Sequence, residues 1–380
     1  MGSWGVGVWW RGVAVGLALR AVRRVSVGGH SPTTVGSMTH DAARKPITWH
    51  PDMLGEDFEN MTLELGRDPD GEGQIVATLV RYKPAIEKPR AVLYVHGMTD
   101  YFFQAHVAEY FATRDIATYA VDLRKCGRSH REGQRWHYSP DFRQYFKELT
   151  TALSIVGEMY GDVTVLAHST GGLIAPVWVS HLQETGAPEA ALIKRVVLNS
   201  PWLDMMYPKV LLNTLGPVAK LLAKRRPLMP APGGNLGVYG QALHRECNGE
   251  WDFDLTMKPI QGHEKYFGWL GAVLEFQDLV GAGKVNCRVP VLTMCSSQSL
   301  LYRRRYTPAV KEADTVLDVR QIRERQGLLS DHTELQVIEK GCHDLFLSPR
   351  PVRDEAMKVA ADWILNTPGG VPERSAAAEE

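Results

Sequence analysis

Short apolar runs alternate with amphipathic segments along the chain after Pro46. Runs of six or seven mostly apolar residues over 91–96, 116–122 and 163–168 predict strands that are buried on both faces of a sheet. Apolar residues at helical spacing, and a glycine near one end, predict helices instead. Further strands are predicted at 195–200, 290–295 and 334–339, and helices at 104–114, 141–161 and 355–366.

The order of these elements predicts an α/β fold with a mostly parallel central sheet flanked by helices. Residues 61–65 and 74–82, which the turn-rich sequence GRDPDGEG separates, are a predicted hairpin ahead of the parallel strands. Ligands of such sheets bind beyond the carboxyl ends of the strands. Polar residues stand at four of these ends, and they are His96, Asp122, Ser169 and His343.

One long segment interrupts the alternation of strands and helices. More than 80 residues separate 199–204 from 288–295, and they begin with a predicted helix over 207–226. Prolines and glycines follow this helix and indicate flexible joints, so we interpret the segment as a cap over the strand ends. The expected organisation is an extension over 1–45, a first core part over 46–204, a cap over 205–287, a second core part over 288–367 and a disordered tail over 368–380.

The composition excludes some classes of function. The 380 residues include 43 Lys plus Arg and 43 Asp plus Glu, so no general basic field points to nucleic acid. The five cysteines are odd in number and widely spaced, which argues against a disulfide framework and against a zinc site. We expect reduced thiols, no metal or other cofactor, and a cytoplasmic location. Oligomeric state is not indicated by the sequence.

The first 40 residues contain no acidic side chain and carry arginines around the short apolar stretch 12–19. This composition is compatible with a basic amphipathic segment that contacts a lipid surface, and equally with a non-native extension upstream of Met38. The chain has no run of 18 uncharged apolar residues, so we expect no membrane-spanning helix. The arginines are Arg11, Arg20, Arg23 and Arg24.

A serine follows the third predicted buried strand, in the sequence VLAHSTGGL at 165–173. A nucleophilic serine on a tight strand-to-helix turn needs small neighbours two positions away on either side, and Ala167 and Gly171 satisfy this requirement. The helix that starts near Thr170 directs its free N–H groups at the serine. Taken alone, Ser169 could equally be the N-cap of an ordinary helix.

The neighbouring motifs favour the nucleophile. His343 follows the last predicted strand, where an α/β fold of this kind would place a base that accepts the proton of Ser169. The loop after the first buried strand contains Gly97, which lets the backbone approach closely, and we expect the N–H groups of Met98 and Thr170 to bind an oxyanion. His96 is better interpreted as a structural, hydrogen-bonded histidine.

The acid that would orient His343 is less clear from the sequence. No acidic residue follows the strand at 290–295 directly, and the first candidates are Glu312 and Asp314. We choose Asp314 because the apolar residues after it could anchor its loop. Asp318 and Asp204, which follows the preceding strand, are the alternatives.

These motifs resemble the α/β-hydrolase superfamily, and within it the group of monoacylglycerol lipases, lysophospholipases and serine aminopeptidases. The resemblance covers roughly residues 90 to 365, and the pattern D-x-R-x-x-G-x-S at Asp122–Ser129 is its most specific part. The segments that carry it are YVHGMTDY (94–101), AVDLRKCGRSHREGQ (120–134), LAHSTGGL (166–173), NSPWLD (199–204), ADTVLDV (313–319) and GCHDLFLS (341–348).

The resemblance implies the α/β-hydrolase fold with a helical cap insertion. It also implies that Ser169 is the nucleophile, His343 the base and Asp314 the acid of a catalytic triad. The chain departs from the usual pattern in two places. Residues 296–313 separate the acid from its strand, and the family's R-G-x-G is Arg124-Lys125-Cys126-Gly127 here.

The expected function is therefore hydrolysis of carboxylic esters, such as a monoacylglycerol, a lysophospholipid or a similar small-molecule acyl ester. Apolar cap residues suit an acyl chain, although most are expected to pack the cap onto the core. Two alternatives remain, namely a serine aminopeptidase and a binding protein of the same fold without catalysis. The apolar cap residues are Leu211, Leu212, Leu215, Leu221, Leu222, Trp269 and Leu270, and the acids that could hold a peptide amino terminus are Glu246, Glu250, Asp252 and Asp254.

Overall fold

The computed structural model describes residues 48–207, 209–231 and 236–369. The predicted N-terminal extension over 1–45 and residues 370–380 of the predicted tail lie outside these ranges, as does the side chain of Leu211. The strands are β1 (His50–Asp52), β2 (Gly55–Arg67), β3 (Gln74–Tyr82), β4 (Arg90–Val95), β5 (Ile116–Asp122), β6 (Val163–His168), β7 (Ile193–Asn199), β8 (Val291–Ser296) and β9 (Thr333–Ile338). The helices are α1 (Ala105–Ala112), α2 (Tyr145–Gly157), α3 (Gly171–Thr185), α4 (Lys209–Arg225), α5 (Gly237–Leu243), α6 (Phe267–Gly281), α7 (Val319–Arg325) and α8 (Arg350–Asn366).

The nine strands of the described residues form one sheet in the order β1-β2-β3-β5-β4-β6-β7-β8-β9. The first three strands and the β3–β5 pair are antiparallel, and all pairs from β5 through β4 to β9 are parallel. The predicted mostly parallel sheet and the predicted β2–β3 hairpin are therefore confirmed. Strand β1 has no counterpart in the prediction because three residues are too short to show a pattern.

Successive residues of the central strands point to opposite faces of the sheet, and each face has its own core. On β4, Leu93 and Val95 belong to one cluster of buried residues, which α2 and α3 cover. Val92 and Tyr94 belong to a second cluster, which α1 and α8 cover. This two-sided burial explains why the central strands are continuous apolar runs.

The described residues of the segment between β7 and β8 form three helices. Helix α6 contributes Trp269, Val273 and Phe276 to the core cluster on the α3 side of the sheet, and α4 packs against α6. Helix α5 belongs to a separate small cluster near the carboxyl ends of the strands. The insertion is thus anchored by α6, while the domain boundaries given above remain a prediction. In the described part of the chain, no helix combines the length and apolar character that crossing a bilayer requires.

Candidate active site

Ser169 occupies the turn between β6 and α3. Its φ of 53° lies in the left-handed region, which a residue other than glycine adopts only when the surrounding structure holds it there. Two backbone hydrogen bonds do so: the Ser169 N–H donates to Asn199 O at 3.1 Å, and the Trp202 N–H donates to Ser169 O at 3.0 Å. The end of β7 therefore fixes the strained serine.

Glycines allow the close approaches around this turn. A Cβ at Gly171 would lie 2.4 Å from His96 O and 2.7 Å from Val95 O, so the first turn of α3 touches the end of β4. A Cβ at Gly97 would lie 3.0 Å from Ser169 Cβ. The loop after β4 is thereby pressed against the serine, as the sequence predicts for a glycine at that position.

The structure brings Ser169, His343 and Asp314 together. His343 Nε2 lies 2.9 Å from Ser169 Oγ, and His343 Nδ1 lies 2.9 Å from Asp314 Oδ2. An ionised carboxylate only accepts hydrogen bonds, so Nδ1 carries the proton and Nε2 is free to accept the serine hydroxyl. Ser169 is 8% exposed, His343 3% and Asp314 0%, so water does not compete strongly for these contacts.

Asp314 is held in place by its own loop. Its Oδ1 accepts hydrogen bonds of 2.8 Å from the N–H groups of Val316 and Leu317, which leaves Oδ2 for His343. The two alternative acids are engaged elsewhere. Asp204 accepts hydrogen bonds of 2.6 and 2.9 Å from Arg325, and Asp318 caps α7 and pairs with Arg320 at 2.7 Å.

The two predicted oxyanion donors flank the serine turn. Thr170 is buried and directly precedes α3, and Met98 is partly buried in the loop after β4. Within residues 48–207, 209–231 and 236–369, neither backbone N–H has a hydrogen-bond acceptor. Both donors therefore remain available to an incoming oxygen. His96 is structural, as expected: its Nδ1 donates to Gly97 O at 2.8 Å and its Nε2 accepts the Leu123 N–H at 3.0 Å.

The inserted segment closes over this site. The ring of Tyr239, from α5, meets the ring of His343 edge-on at 5.5 Å. The backbone N–H of His263 donates to Thr99 Oγ1 at 3.1 Å, and the Lys258 ammonium pairs with Asp100 at 2.7 Å. These contacts connect the insertion to the same loop that carries Met98.

Burial keeps the neighbouring thiol and phenol neutral. Desolvation raises the pKa of Cys342 to about 12 and raises the pKa of Tyr239 well above its ordinary value. Cys342 directly precedes His343, yet its thiol donates to Asp344 O at 2.9 Å. The cysteine is therefore a structural hydrogen-bond donor, and Ser169 is the side chain that faces the imidazole.

Four buried polar residues at this site received no role in the sequence interpretation. They stand beside assigned positions in the motifs or lie in the insertion, and their importance depends on contacts between distant segments. They are Asp100, His168, Lys258 and Asp344.

Part of the chain is similar to a known family. A model of the family described as "Serine aminopeptidase, S33" matches residues 87–247. No curated protein matches the chain.

Solved structures share the fold. A soluble variant of the monoglyceride lipase from Saccharomyces cerevisiae, in complex with a substrate analogue, is 15% identical, with a TM-score of 0.56 over 83% of this chain and 98% of that chain. The monoacylglycerol lipase of Paleococcus ferrophilus is 17% identical, with a TM-score of 0.53 over 82% and 99%. A thermostable carboxyl esterase from Bacillus coagulans is 16% identical, with a TM-score of 0.56 over 81% and 98%. These structures show that the chain has the α/β-hydrolase fold, and the family model matches the part of it over residues 87–247.

Proposed function

We propose that this protein is a serine hydrolase that cleaves carboxylic esters through an acyl-enzyme. The observation that carries the proposal is the unbroken chain of 2.9 Å contacts from Asp314 through His343 to Ser169. A serine on a strained turn, a histidine and a buried carboxylate in this arrangement form the machinery of nucleophilic acyl transfer.

The proposed reaction has two halves. Ser169 Oγ attacks the ester carbonyl while His343 Nε2 accepts the hydroxyl proton, and the N–H groups of Met98 and Thr170 bind the oxyanion. The tetrahedral intermediate collapses to an acyl-serine, and His343 gives its proton to the departing alcohol. A water then attacks the acyl-serine with His343 again as the base, which releases the carboxylic acid and restores the serine.

The proposed substrate is a small-molecule acyl ester such as a monoacylglycerol or a lysophospholipid. Support comes from solved structures that share the fold of this chain and are named as a monoglyceride lipase, a monoacylglycerol lipase and a carboxyl esterase. The similarity to them extends to the fold alone. The cap residues give weaker support, because Trp269 is buried and Leu212 and Leu270 pack against the core, as expected for residues that fix the cap.

We also propose that α4 contacts a lipid surface. Val218 is 44% exposed and Leu221 is 56% exposed on this helix, and the exposed cations Lys224 and Arg225 stand in its last turn. Apolar and basic side chains on one exposed helix suit an anionic bilayer. Sedimentation with phosphatidylserine vesicles tests this contact, and phosphatidylcholine vesicles are the control without net charge. Leu221→Glu is expected to bind phosphatidylserine vesicles more weakly than the wild type does.

The experiment for the hydrolase proposal combines labelling and turnover. We expect a fluorophosphonate probe to label the wild type and the matched control Ser154→Ala, but not Ser169→Ala. The same proteins are assayed with p-nitrophenyl esters of increasing acyl length. A folded wild type that neither reacts with the probe nor releases p-nitrophenol would favour a binding protein without catalysis.

An aminopeptidase is the second candidate because the matching family model carries that description. Three of the four cap acids considered for binding a peptide amino terminus already have partners. Glu250 pairs with Arg353 at 2.5 Å, Asp252 pairs with Arg245 at 2.9 Å, and Asp254 accepts two backbone N–H groups. Faster cleavage of aminoacyl arylamides than of esters would support the peptidase.

The cysteines bear on the proposed location. All five are free, and Cys247 is exposed. We propose the cytoplasm because unpaired thiols persist in a reducing compartment.

A further inference from the structure

A cluster of four ionisable side chains lies buried beside the serine turn. His168 ends β6 and directly precedes Ser169, Asp100 follows β4, Asp344 follows His343, and Lys258 comes from the insertion. Their exposed fractions are 3%, 1%, 0% and 7% in that order. Four distant parts of the chain thus contribute to one water-poor cluster.

Both carboxylates lie close to the imidazole of His168. One ligand-type atom from each of His168, Asp100 and Asp344 lies within 4.8 Å of the other two. His168 Nδ1 is 3.5 Å from Asp100 Oδ2, and the other oxygen of Asp100 pairs with Lys258 at 2.7 Å. Among the described residues, Asp100 Oδ2 and both ring nitrogens of His168 lack any hydrogen bond of standard geometry.

Asp344 is fixed in this position by amides. Its Oδ1 accepts the Asn199 side-chain N–H at 2.7 Å, and its Oδ2 accepts the Gln104 side-chain N–H at 3.3 Å. Amides carry no charge, so they orient the carboxylate without neutralising it. The charge of Asp344 must be balanced by another group.

A count of charges identifies that group. Two buried carboxylates face one ammonium, so a neutral His168 would leave the cluster with a net negative charge away from bulk solvent. Such an uncompensated buried charge is very costly. Protonation of His168 makes the cluster neutral, with two positive and two negative charges.

The same three residues are a donor set that a divalent metal can bind. Lys258 argues against this occupant, because its ammonium stands against Asp100 and would repel a dication. A single proton on His168 balances the charges without that repulsion.

We propose that His168 is held as an imidazolium beside Asp100 and Asp344, and that its positive charge acts on His343, the base of the proposed reaction. The two rings are 5.0 Å apart, centre to centre. The second half of this proposal rests on the proposed function, in which His343 must be neutral to accept the proton of Ser169. His168 is thus a positioning residue that acts through the base.

The electrostatic environment supports the charge assignment. Burial alone would lower the pKa of His168, but Asp344 and Asp100 raise it above its ordinary value despite the opposing effect of Lys258. Burial would likewise raise the pKa of Asp100, but Lys258 and His168 hold it well below its ordinary value, with a smaller contribution from His96. The groups that face His168 are therefore Asp100, Asp344, Lys258 and His343, with His96 acting on Asp100.

The charge state is measured directly by NMR of ring nitrogens in ¹⁵N-histidine protein. His168→Gln identifies the signal, and His181→Gln, at an exposed position, is the matched control. We expect His168 to keep protons on both ring nitrogens to a higher pH than an ordinary histidine does. A ring that loses its second proton at the pH of an ordinary histidine or below it, or one equivalent of tightly bound metal in the purified protein, would overturn the proposal.

Two further variants should shift the pH at which His168 loses its proton in opposite directions. Asp100→Asn removes a negative neighbour, so His168 should lose its proton at a lower pH than in the wild type. Lys258→Met removes a positive neighbour, so His168 should keep its proton to a higher pH. A shift of the same sign in both variants, or no shift in either folded variant, contradicts the charge balance.

The effect on His343 is measured as a pH–rate profile. In His168→Gln, the acidic limb of kcat/KM should move to higher pH by about one unit, whereas His181→Gln should leave it unchanged. An unmoved limb in folded His168→Gln overturns the second half of the proposal. An imidazolium in a protein that neither hydrolyses esters nor reacts with a fluorophosphonate would instead leave the charge assignment standing and refute the proposed function.

Discussion

The backbones of Ser299 and Asp314 pair in a parallel bridge, although residues 300–313 lie between them. The Asp314 N–H donates to Gln298 O at 3.0 Å, and the Leu300 N–H donates to Asp314 O at 2.7 Å. The excursion after β8 therefore returns the chain to the end of the strand it left. An acid that is far from its strand in sequence lies beside that strand in space, where it reaches His343.

Asp314→Asn is expected to lower kcat for ester hydrolysis by about 10³–10⁴-fold with little change in stability. The amide offers His343 Nδ1 a donor as readily as an acceptor, so it no longer fixes the tautomer that accepts the serine proton. Steady-state kinetics with a p-nitrophenyl ester, together with thermal unfolding, measure the two quantities.

Asp204→Asn and Asp318→Asn are the matched controls, since both acids pair with arginines away from His343. They should retain activity within a few fold. Full activity in Asp314→Asn combined with loss in Asp204→Asn would show that the acid of the triad is not Asp314.

Gly171→Ala is expected to destabilise the fold and to reduce labelling of Ser169. The new methyl would meet the backbone oxygens of His96 and Val95 at 2.4 and 2.7 Å, and two rigid carbonyls cannot move without shifting β4. Denaturant unfolding should show a loss of about 1–3 kcal/mol. Activity should fall further than stability alone explains, because α3 would move relative to the Met98 loop.

Gly216→Ala is the control for this change. Gly216 is inside α4, and a Cβ there meets nothing within 4 Å. Alanine should stabilise this helix by about 0.5–1 kcal/mol. If both alanine variants behaved alike, the close contact of α3 with β4 would not be a constraint.

The central strands, and the positions of Ser169 and His343 along the chain, were predictable because each depends on a local sequence pattern. Apolar runs identified β4, β5 and β6, and strand ends identified Ser169 and His343. Chain order alone left Asp314, Asp318 and Asp204 open, since only the return of the loop at Ser299 brings one of them to the histidine. That return is a tertiary contact with no sequence periodicity.

Buried charges were the other features that the sequence could not show. Lys125 was identified from the sequence only as a departure from the glycine in the family's usual R-G-x-G. Its side chain is in fact fully buried and pairs with Asp68 at 2.6 Å and Glu72 at 2.9 Å, in the turn between β2 and β3. A lysine in a sequence is ordinarily assigned to the surface, so its partners appear only when the hairpin is folded against the loop.

Lys125→Met is expected to lower the free energy of unfolding by about 3–5 kcal/mol. The substitution keeps the length of the side chain but leaves Asp68 buried without its cation and Glu72 with Arg135 alone. Lys125→Gly is an informative comparison, because φ is 60° here and glycine relieves the backbone strain. Lys125→Gly should still be strongly destabilising if the ion pairs contribute more than the backbone strain. Chemical denaturation of the wild type, Lys125→Met and Lys125→Gly ranks their free energies of unfolding.

His106 should make the protein sensitive to mild acid. Burial is the main cause that lowers the pKa of His106 from 6.5 to about 4, and its Nε2 donates to Phe346 O at 2.9 Å. Between pH 6.5 and about 4 the unfolded chain binds a proton at this histidine and the folded protein does not. Stability is therefore fully present above about pH 6.5 and declines as the pH falls towards 4.

The expected loss from His106 between pH 6.5 and 5 is about 2 kcal/mol, from the size of this pKa difference. His106→Gln keeps a donor for Phe346 O but cannot titrate, so urea unfolding of this variant should depend less on pH over the same interval. His263, whose pKa burial lowers to about 4, should contribute in the same direction and leave part of the slope. An identical slope in His106→Gln and in the wild type would mean that His106 is already accessible to protons in the folded protein.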